Sequence, residues 1–425
     1  MRLHSLWSLV AVATLVAACK PQPPVDPVAA QAQEYVRIAL ELDRHRKGEV
    51  DGYFGPAELD GRAAKEGPTL DALLTRSRTL VAGVQKNPPA AGNDRVGRLQ
   101  AKAGQLQTLL EVMSLPKPLS FADEARKLYG VDLPEVDEAA SAALIKELDT
   151  LLTGTGTLAF RLASFQNQRV IPVDKRKAVF DRALEECRAR TKAHWKLPDN
   201  EQLTVEWSRT VPAAWHRYQG GGRSTLEVNP TAIALVGAAV EVACHEGYPG
   251  HHAQFLLMEA AAGGGLPLED QVVLLRSPDS TFREGAANYG VDLVWTADER
   301  LAFERDVLSP LAGVSPENAE KAFKIQQLIN RLGTAVIPIL RDYRDGVLSF
   351  NTATYRLERE ALVSSPSALL KYVDDYGAYS VGYTVLRDRL QRYIEAEVQQ
   401  SGADPWAVLQ KLLTTPEGPS TTASG

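Results

Sequence analysis

Cysteine is scarce: Cys19, Cys187 and Cys244 are the only three in 425 residues. That number excludes a disulfide framework, although Cys187 and Cys244 can pair with each other. Basic charge is lacking as well, since 47 Lys and Arg stand against 53 Asp and Glu, a formal net charge of −6. A mildly acidic chain gives no support for nucleic-acid binding. Aromatic residues are few at 7%, yet 44% of the chain is apolar, enough for a substantial core. No repeat of fixed period is present, which argues against a solenoid or propeller. Beyond the N-terminus no apolar run approaches the roughly 20 residues that a bilayer span requires.

What the sequence does have begins at its first residues. Arg2 and His4 precede an apolar stretch from Leu6 to Val16, which runs into Val16-Ala17-Ala18-Cys19. Residues 1–18 read as a signal peptide with a lipobox, and Cys19 as the lipid-modified N-terminus. Removing that segment takes away Arg2 alone, so the formal charge moves from −6 to −7. Residues 19–33, rich in Pro, Ala and Gln, read as a flexible tether. The expectation is a cell-envelope protein held to a membrane by its lipid. Lys20, rather than Asp, after the anchor favours the outer membrane and a body facing the periplasm.

From Glu34 onward helical signals dominate. Segments 69–84, 94–114, 137–153 and 174–192 carry apolar residues at three- and four-residue spacing, and Pro-bearing breaks at 88–92, 115–118 and 197–199 separate them. They predict an antiparallel helical bundle over an N-terminal region, 34–200. Further helices are expected around 282–306, 315–345, 351–363, 366–374 and 380–400, within a second region, 201–415, ahead of a disordered tail, 416–425. Extended structure is expected only at Leu203 to Thr210 and, after Gly220-Gly221-Gly222, at Thr225 to Val228, a strand able to pair with an extended substrate. Asn229-Pro230-Thr231 would cap an apolar helix beginning near Ala232. The fold class is therefore mainly α, with a short β element before the helix that carries the most informative motif.

That helix delivers His245-Glu246-Gly247-Tyr248-Pro249-Gly250-His251-His252, placing three of the chain's seven histidines within eight residues. Such groups at the end of a core helix are costly to bury unless paired or bound to a metal. His-Glu on a helix is the start of a zinc-hydrolase arrangement, in which two His ligands four residues apart face one ion and the Glu activates water. Here the fourth position is Pro249. Six residues of regular helix would set His245 and His251 about 9 Å apart, so a break at Pro249-Gly250 is needed to bring them together. His252 competes as the second ligand. Glu284 in Thr281-Phe282-Arg283-Glu284-Gly285 is the expected third ligand, with Gly285 permitting close packing against another helix. Asn288, one turn on, is placed to orient a His ring. Glu246 remains as general base. Cys244 reads as a buried small residue, and His194 and His216, beside Trp195 and Trp215, as packed histidines.

His-Glu-Gly-Tyr-Pro-Gly-His-His, followed about forty residues later by Glu-Gly-x-Ala-x-Tyr, resembles the bacterial family known as domain of unknown function 885, whose members look like helical zinc peptidases of the gluzincin kind. The likeness spans roughly residues 200–400, with Asp51-Gly52-Tyr53-Phe54-Gly55-Pro56 as a further match. It implies a large helical zinc-peptidase-like body and favours His251 over His252 as ligand. Tyr379-Ser380-Val381-Gly382 matches the family's Tyr-x-x-Gly segment. That match makes Tyr379, or Tyr383 one turn on, a candidate to stabilise the oxyanion of a tetrahedral intermediate. Gly285-Ala286-Ala287 lacks the Trp usual in the family, and the chain is shorter than many members, so substrate specificity does not carry over. Together these readings predict a zinc-dependent hydrolase acting on a peptide or amide substrate in the envelope. The alternatives are a metal-dependent amidase on another substrate and a non-catalytic, metal-stabilised lipoprotein that binds peptide or cell-wall material.

Overall fold

The protein was analysed as a computed structural model, which describes residues 27–63, 67–87 and 95–415. The expected signal peptide, Cys19 and the tail 416–425 lie outside them. Helices dominate, as expected: α1 Pro27–Leu42, α2 Leu70–Val84, α3 Arg95–Met113, α4 Phe121–Tyr129, α5 Glu138–Leu151, α6 Leu158–Asn167 and α7 Val173–His194 precede the motif. The motif itself falls on α8 Val236–Glu246 and α9 His251–Ala261, and α10 Pro278–Leu293 follows. Then come α11 Ala297–Phe303, α12 Ser309–Ala312, α13 Ala319–Arg331, α14 Val336–Arg344, α15 Phe350–Glu360, α16 Pro366–Tyr376, α17 Val385–Ser401 and α18 Pro405–Thr414. Their starts are chemically marked: Thr69, Ser120, Asp137, Thr157, Ser277, Ser349 and Asp404 each accept a backbone N–H of the first turn. Among the described residues no helix is long and apolar enough to cross a membrane.

Two readings near the ends of elements need correction. Residues 27–33 are not tether: α1 starts at Pro27, and its Ala32 is wholly buried. Nor does the apolar helix begin near Ala232. Asn229 closes a local turn, its Oδ1 accepting from Thr231 N at 3.0 Å, and α8 starts at Val236.

The β part is larger than the two expected segments. β1 Val50–Tyr53 pairs antiparallel with β5 Val272–Leu274, while β2 Gln202–Trp207, β3 Ala214–Gly220 and β4 Arg223–Val228 form a sheet ordered β2-β4-β3. β4 runs parallel to β2 and antiparallel to β3. Thr225 to Val228 is thus the central strand, with both edges already bonded, and cannot pair with a substrate. The outer strands of this sheet are β2 and β3.

The boundary near residue 200 does not divide two cores. One core joins Tyr35, Leu99, Leu106 and Phe121 of the N-terminal helices to Val272, Leu340, Leu370 and Tyr379. A second joins Val179 and Phe180 of α7 to Val240, Leu256, Phe282 and Ile394. An independent N-terminal bundle is therefore not formed, because the apolar faces of α1 to α4 find their partners in the C-terminal half.

α7 is also tied to α8 covalently, by a disulfide between Cys187 and Cys244 across 57 positions of sequence. The two cysteines that were able to pair do so, directly before His245. Closing a loop of that size restricts the unfolded chain. Replacing both cysteines by Ala should lower the unfolding free energy by about 4 kcal/mol, read as an earlier urea midpoint; an unchanged midpoint would contradict the cross-link.

Candidate metal centre

α8 buries Val236, Ala239, Val240 and Ala243 and reaches the cleft with His245 and Glu246 at its last turn. The helix stops there. Pro249 offers no N–H, and the next backbone bonds skip across the break: Gly250 N to Cys244 O at 3.0 Å and Ala253 N to Gly247 O at 3.1 Å. Gly250 approaches so closely that a Cβ would lie 1.6 Å from His245 O, so no other residue fits. α9 then begins at His251, and the His245 and His251 rings are 4.8 Å apart, edge to face.

Glu284 comes from α10, whose start is set by the Ser277 cap and by Pro278 in its first turn. The helix lies hard against α17: a Cβ on Gly285 would be 3.0 Å from the Arg387 backbone N, which makes Gly285 a close-packing residue as expected. Glu284 Oε2 lies 3.3 Å from His245 Nε2 and 3.6 Å from His251 Nε2. The ligand atoms of His245, His251 and Glu284 all fall within 4.8 Å of one another.

The hydrogen-bond pattern fixes which atoms face inward. Asn288 Nδ2 donates to Tyr383 O at 2.9 Å, so Asn288 Oδ1, 2.8 Å from His245 Nδ1, is the acceptor. His245 Nδ1 therefore carries a hydrogen and Nε2 points at Glu284. Tyr379 OH donates to Glu284 Oε1 at 3.2 Å, whereas buried Glu284 Oε2 has no hydrogen-bond partner. Burial alone would raise the Glu284 pKa, but the His251 and His245 imidazoles hold it well below the usual carboxylate range. Burial would likewise lower His245, yet the adjacent Glu284 carboxylate and the Glu246 charge raise it to about 9. The centre attracts positive charge.

Two imidazoles and a carboxylate suit a zinc-type cation, and tetrahedral coordination at about 2.1 Å spaces ligand atoms by roughly 3.4 Å. The 3.3 and 3.6 Å separations, with the orphaned Glu284 Oε2 between the imidazoles, fit that donor set. Glu246 lines the same cleft, and its carboxyl is raised, by burial and by Glu284, against the pull of His245 and His251.

The other candidates divide. His252 is wholly buried and turned away from the triad: its Nε2 meets Glu201 Oε2 at 3.2 Å and its Nδ1 meets Ser224 Oγ at 2.7 Å. It is not a ligand in this geometry. Tyr379, expected to face an oxyanion, is instead committed to Glu284 and to Ser280 Oγ at 2.8 Å, in the core. Tyr383 lines the cleft, and burial keeps its phenol well above the usual range and hence protonated.

His194 packs as expected, stacked on Trp406 at 4.4 Å. His216 does more than pack. It lines the cleft and lies 2.8 Å from Ser224 Oγ, at the end of a buried chain through His252 to Glu201, where Tyr248 and Arg188 also donate. Glu201, Ser224 and Tyr372 went unrecognised in the sequence because none stands in a recognised motif, and Asp51, quoted only within the Asp51-Gly52-Tyr53-Phe54-Gly55-Pro56 match, was given no role.

No protein-family model matches the chain, and no curated protein sequence matches it. Among solved structures it is similar to a protein from Colwellia psychrerythraea described provisionally as a lipoprotein, with a TM-score of 0.52, 13% identity and coverage of 84% of this chain and 68% of that one. A protein from Shewanella oneidensis, described provisionally as a lipoprotein of unknown function, gives a TM-score of 0.47 at 12% identity, over 92% of this chain and 82% of that one. At such identity the likeness to the Colwellia protein is one of fold.

Metal analysis of purified protein should find about one divalent ion per chain, lost in His251→Ala and retained in His252→Ala, whose defect should be a lower melting temperature. Tyr379→Phe frees Glu284 Oε1 and should weaken metal affinity on the order of 10-fold, as loss of an outer-sphere partner does. Chelator competition measures it, and wild-type affinity in that variant would refute the positioning role.

Proposed function

We propose that this protein is a zinc-dependent hydrolase that cleaves peptide bonds in the bacterial cell envelope. The observation that carries the reading is the convergence of His245 Nε2, His251 Nε2 and the unpartnered Glu284 Oε2 beside Glu246, in a cleft of about 1780 Å³. A structural zinc site has four protein ligands and no need of an adjacent base; three ligands plus Glu246 match the catalytic pattern. The strand β3 lines this cleft with its edge unpaired, which suits an extended peptide.

In this reading His245, His251 and Glu284 hold the ion, which supplies Lewis acidity that polarises the scissile carbonyl and makes water easier to deprotonate. Glu246 takes the proton of the attacking water on its carboxylate and delivers it to the leaving amine. Tyr383 donates its phenolic hydrogen to the carbonyl oxygen as charge builds there. Asn288 keeps His245 in the tautomer that presents Nε2, and Tyr379 keeps the Glu284 carboxylate turned.

The envelope location rests on the signal peptide and lipobox that end at Cys19, and on the Cys187–Cys244 disulfide, a bond favoured outside the reducing cytosol. We place the anchor in the outer membrane, with the body facing the periplasm. The likeness in fold to a protein described provisionally as a lipoprotein supports an envelope location in general.

The test is Glu246→Gln in zinc-loaded protein against a peptide library read by mass spectrometry. Zinc content should be unchanged while cleavage falls by about 10²- to 10⁴-fold; undiminished cleavage would falsify the assignment of the base.

A further inference from the structure

Asp51 takes no part in the steps above. It stands on β1, in the Asp51-Gly52-Tyr53-Phe54-Gly55-Pro56 segment, yet the pairing of β1 with β5 brings it into the wall of the same cleft as the triad. Its Oδ1 accepts the Trp215 indole N–H at 3.1 Å, from the edge strand β3. Among the described residues no Lys or Arg lies within ion-pair distance of it. Arg283, the nearby cation, instead lies over the Phe255 ring at 5.6 Å.

Burial is the main influence raising the Asp51 pKa, Glu284 is the principal charge adding to it, and the Trp215 hydrogen bond, His251 and Arg283 oppose. Tyr372 and Tyr379 in turn feel the Asp51 charge. Asp51 thus shares one cleft with the triad and with Tyr372 and Tyr379. A carboxylate sequestered beside a second carboxylate is destabilised until a cation joins it.

We propose that Asp51 is the recognition residue for the free α-amino group of a peptide substrate, so that the enzyme removes residues one at a time from the N-terminus. The inference rests on the peptidase reading and specifies its mode of cleavage. A peptide amine has a pKa near 7.7–8.0 and is largely protonated at neutral pH, which suits an ion pair with Asp51. Within one residue the amine and its carbonyl carbon are only about 2.5 Å apart, the span of the N–Cα and Cα–C bonds. An amine held by Asp51, in the wall of the cleft that also holds the triad, would present the carbonyl of that same residue toward the triad. The Trp215 hydrogen bond holds one Asp51 oxygen and leaves the other for the amine, and the remaining peptide follows the β3 edge.

The experiment compares one octapeptide as the free amine, the N-acetyl form and the C-terminal amide, with zinc-loaded wild type and Asp51→Asn. Mass spectrometry should show a ladder of N-terminal losses from the free-amine peptide and its C-terminal amide. N-acetylation should lower kcat/KM about 100-fold, the scale of a lost charge pair in a desolvated site. In Asp51→Asn the ratio between free and acetylated peptide should collapse toward unity, mainly through KM, with zinc content intact. Equal cleavage of acetylated peptide by wild type, internal cleavage only, or dependence on a free C-terminal carboxylate overturns the proposal while leaving the peptidase reading in place. Should wild type cleave no peptide, the peptidase reading falls, and calorimetric binding of leucine hydroxamate against its N-acetyl form decides Asp51 by itself. Preference for the free amine that Asp51→Asn abolishes supports the recognition role; equal binding of the two, or no binding, overturns it.

Discussion

The chain reversal between Glu246 and His251 is the constraint on which the centre depends. In a continuous helix, residues six apart differ by about 9 Å in height and point in different directions. Breaking the helix there converts that separation into two rings 4.8 Å apart. The break costs regular backbone bonds, some of which are recovered across it, as from Gly250 N to Cys244 O. It also requires a residue without a side chain where Gly250 meets His245 O. Two neighbours then steady it: the disulfide anchors the turn before His245 to α7, and Pro249 packs over Gly290 of α10.

From that point the geometry propagates outward through α10. The helix meets the motif with Glu284 and Asn288, one turn apart, so that one carries a ligand atom and the other sets the tautomer of His245. α10 can come this close because small residues face its neighbours, Gly285 against α17 and Gly290 against Pro249. Tyr379 closes the arrangement from the C-terminal half and belongs to the core that contains the N-terminal helices. The triad is thus held by both large cores, so residues 201–415 do not pack as a self-contained part.

Legibility in the sequence followed how local each signal was. Helices such as α2, α3 and α7 stood out because their apolar spacing lies within one segment. The grouping of His245, His251 and Glu284 was readable because His245 and His251 share one motif and Glu284 precedes a Gly that allows close packing. Strand β3 was missed because its inward positions are His216 and Tyr218, polar-tipped residues that mask the usual alternation. The choice between Tyr379 and Tyr383 was not legible for a tertiary reason: only packing decides that Tyr379 reaches the Glu284 carboxylate. Glu201 gave no signal, and Asp51 stood out only as part of the Asp51-Gly52-Tyr53-Phe54-Gly55-Pro56 match, with no role attached, since each becomes meaningful only when a distant strand or helix supplies its partner.

The adjacent pair His251 and His252 shows how the fold separates a structural polar group from a functional one. Consecutive helical residues differ by about 100° in direction, so one ring faces the cleft and the other the sheet. On the sheet side every demand is met. Glu201 is held well below the usual carboxylate range, against its burial, by His252, Tyr248 and Arg188. Its ionised oxygen takes the His252 Nε2 hydrogen, which leaves Nδ1 to accept from Ser224, whose oxygen in turn accepts from His216. A network so complete rigidifies the start of α9 and has no capacity for another partner. On the cleft side the accounting is left open, with Glu284 Oε2 buried and unpartnered between two imidazoles. Full satisfaction of His252 orients the helix, and the deficit beside His251 is where a cation can be bound.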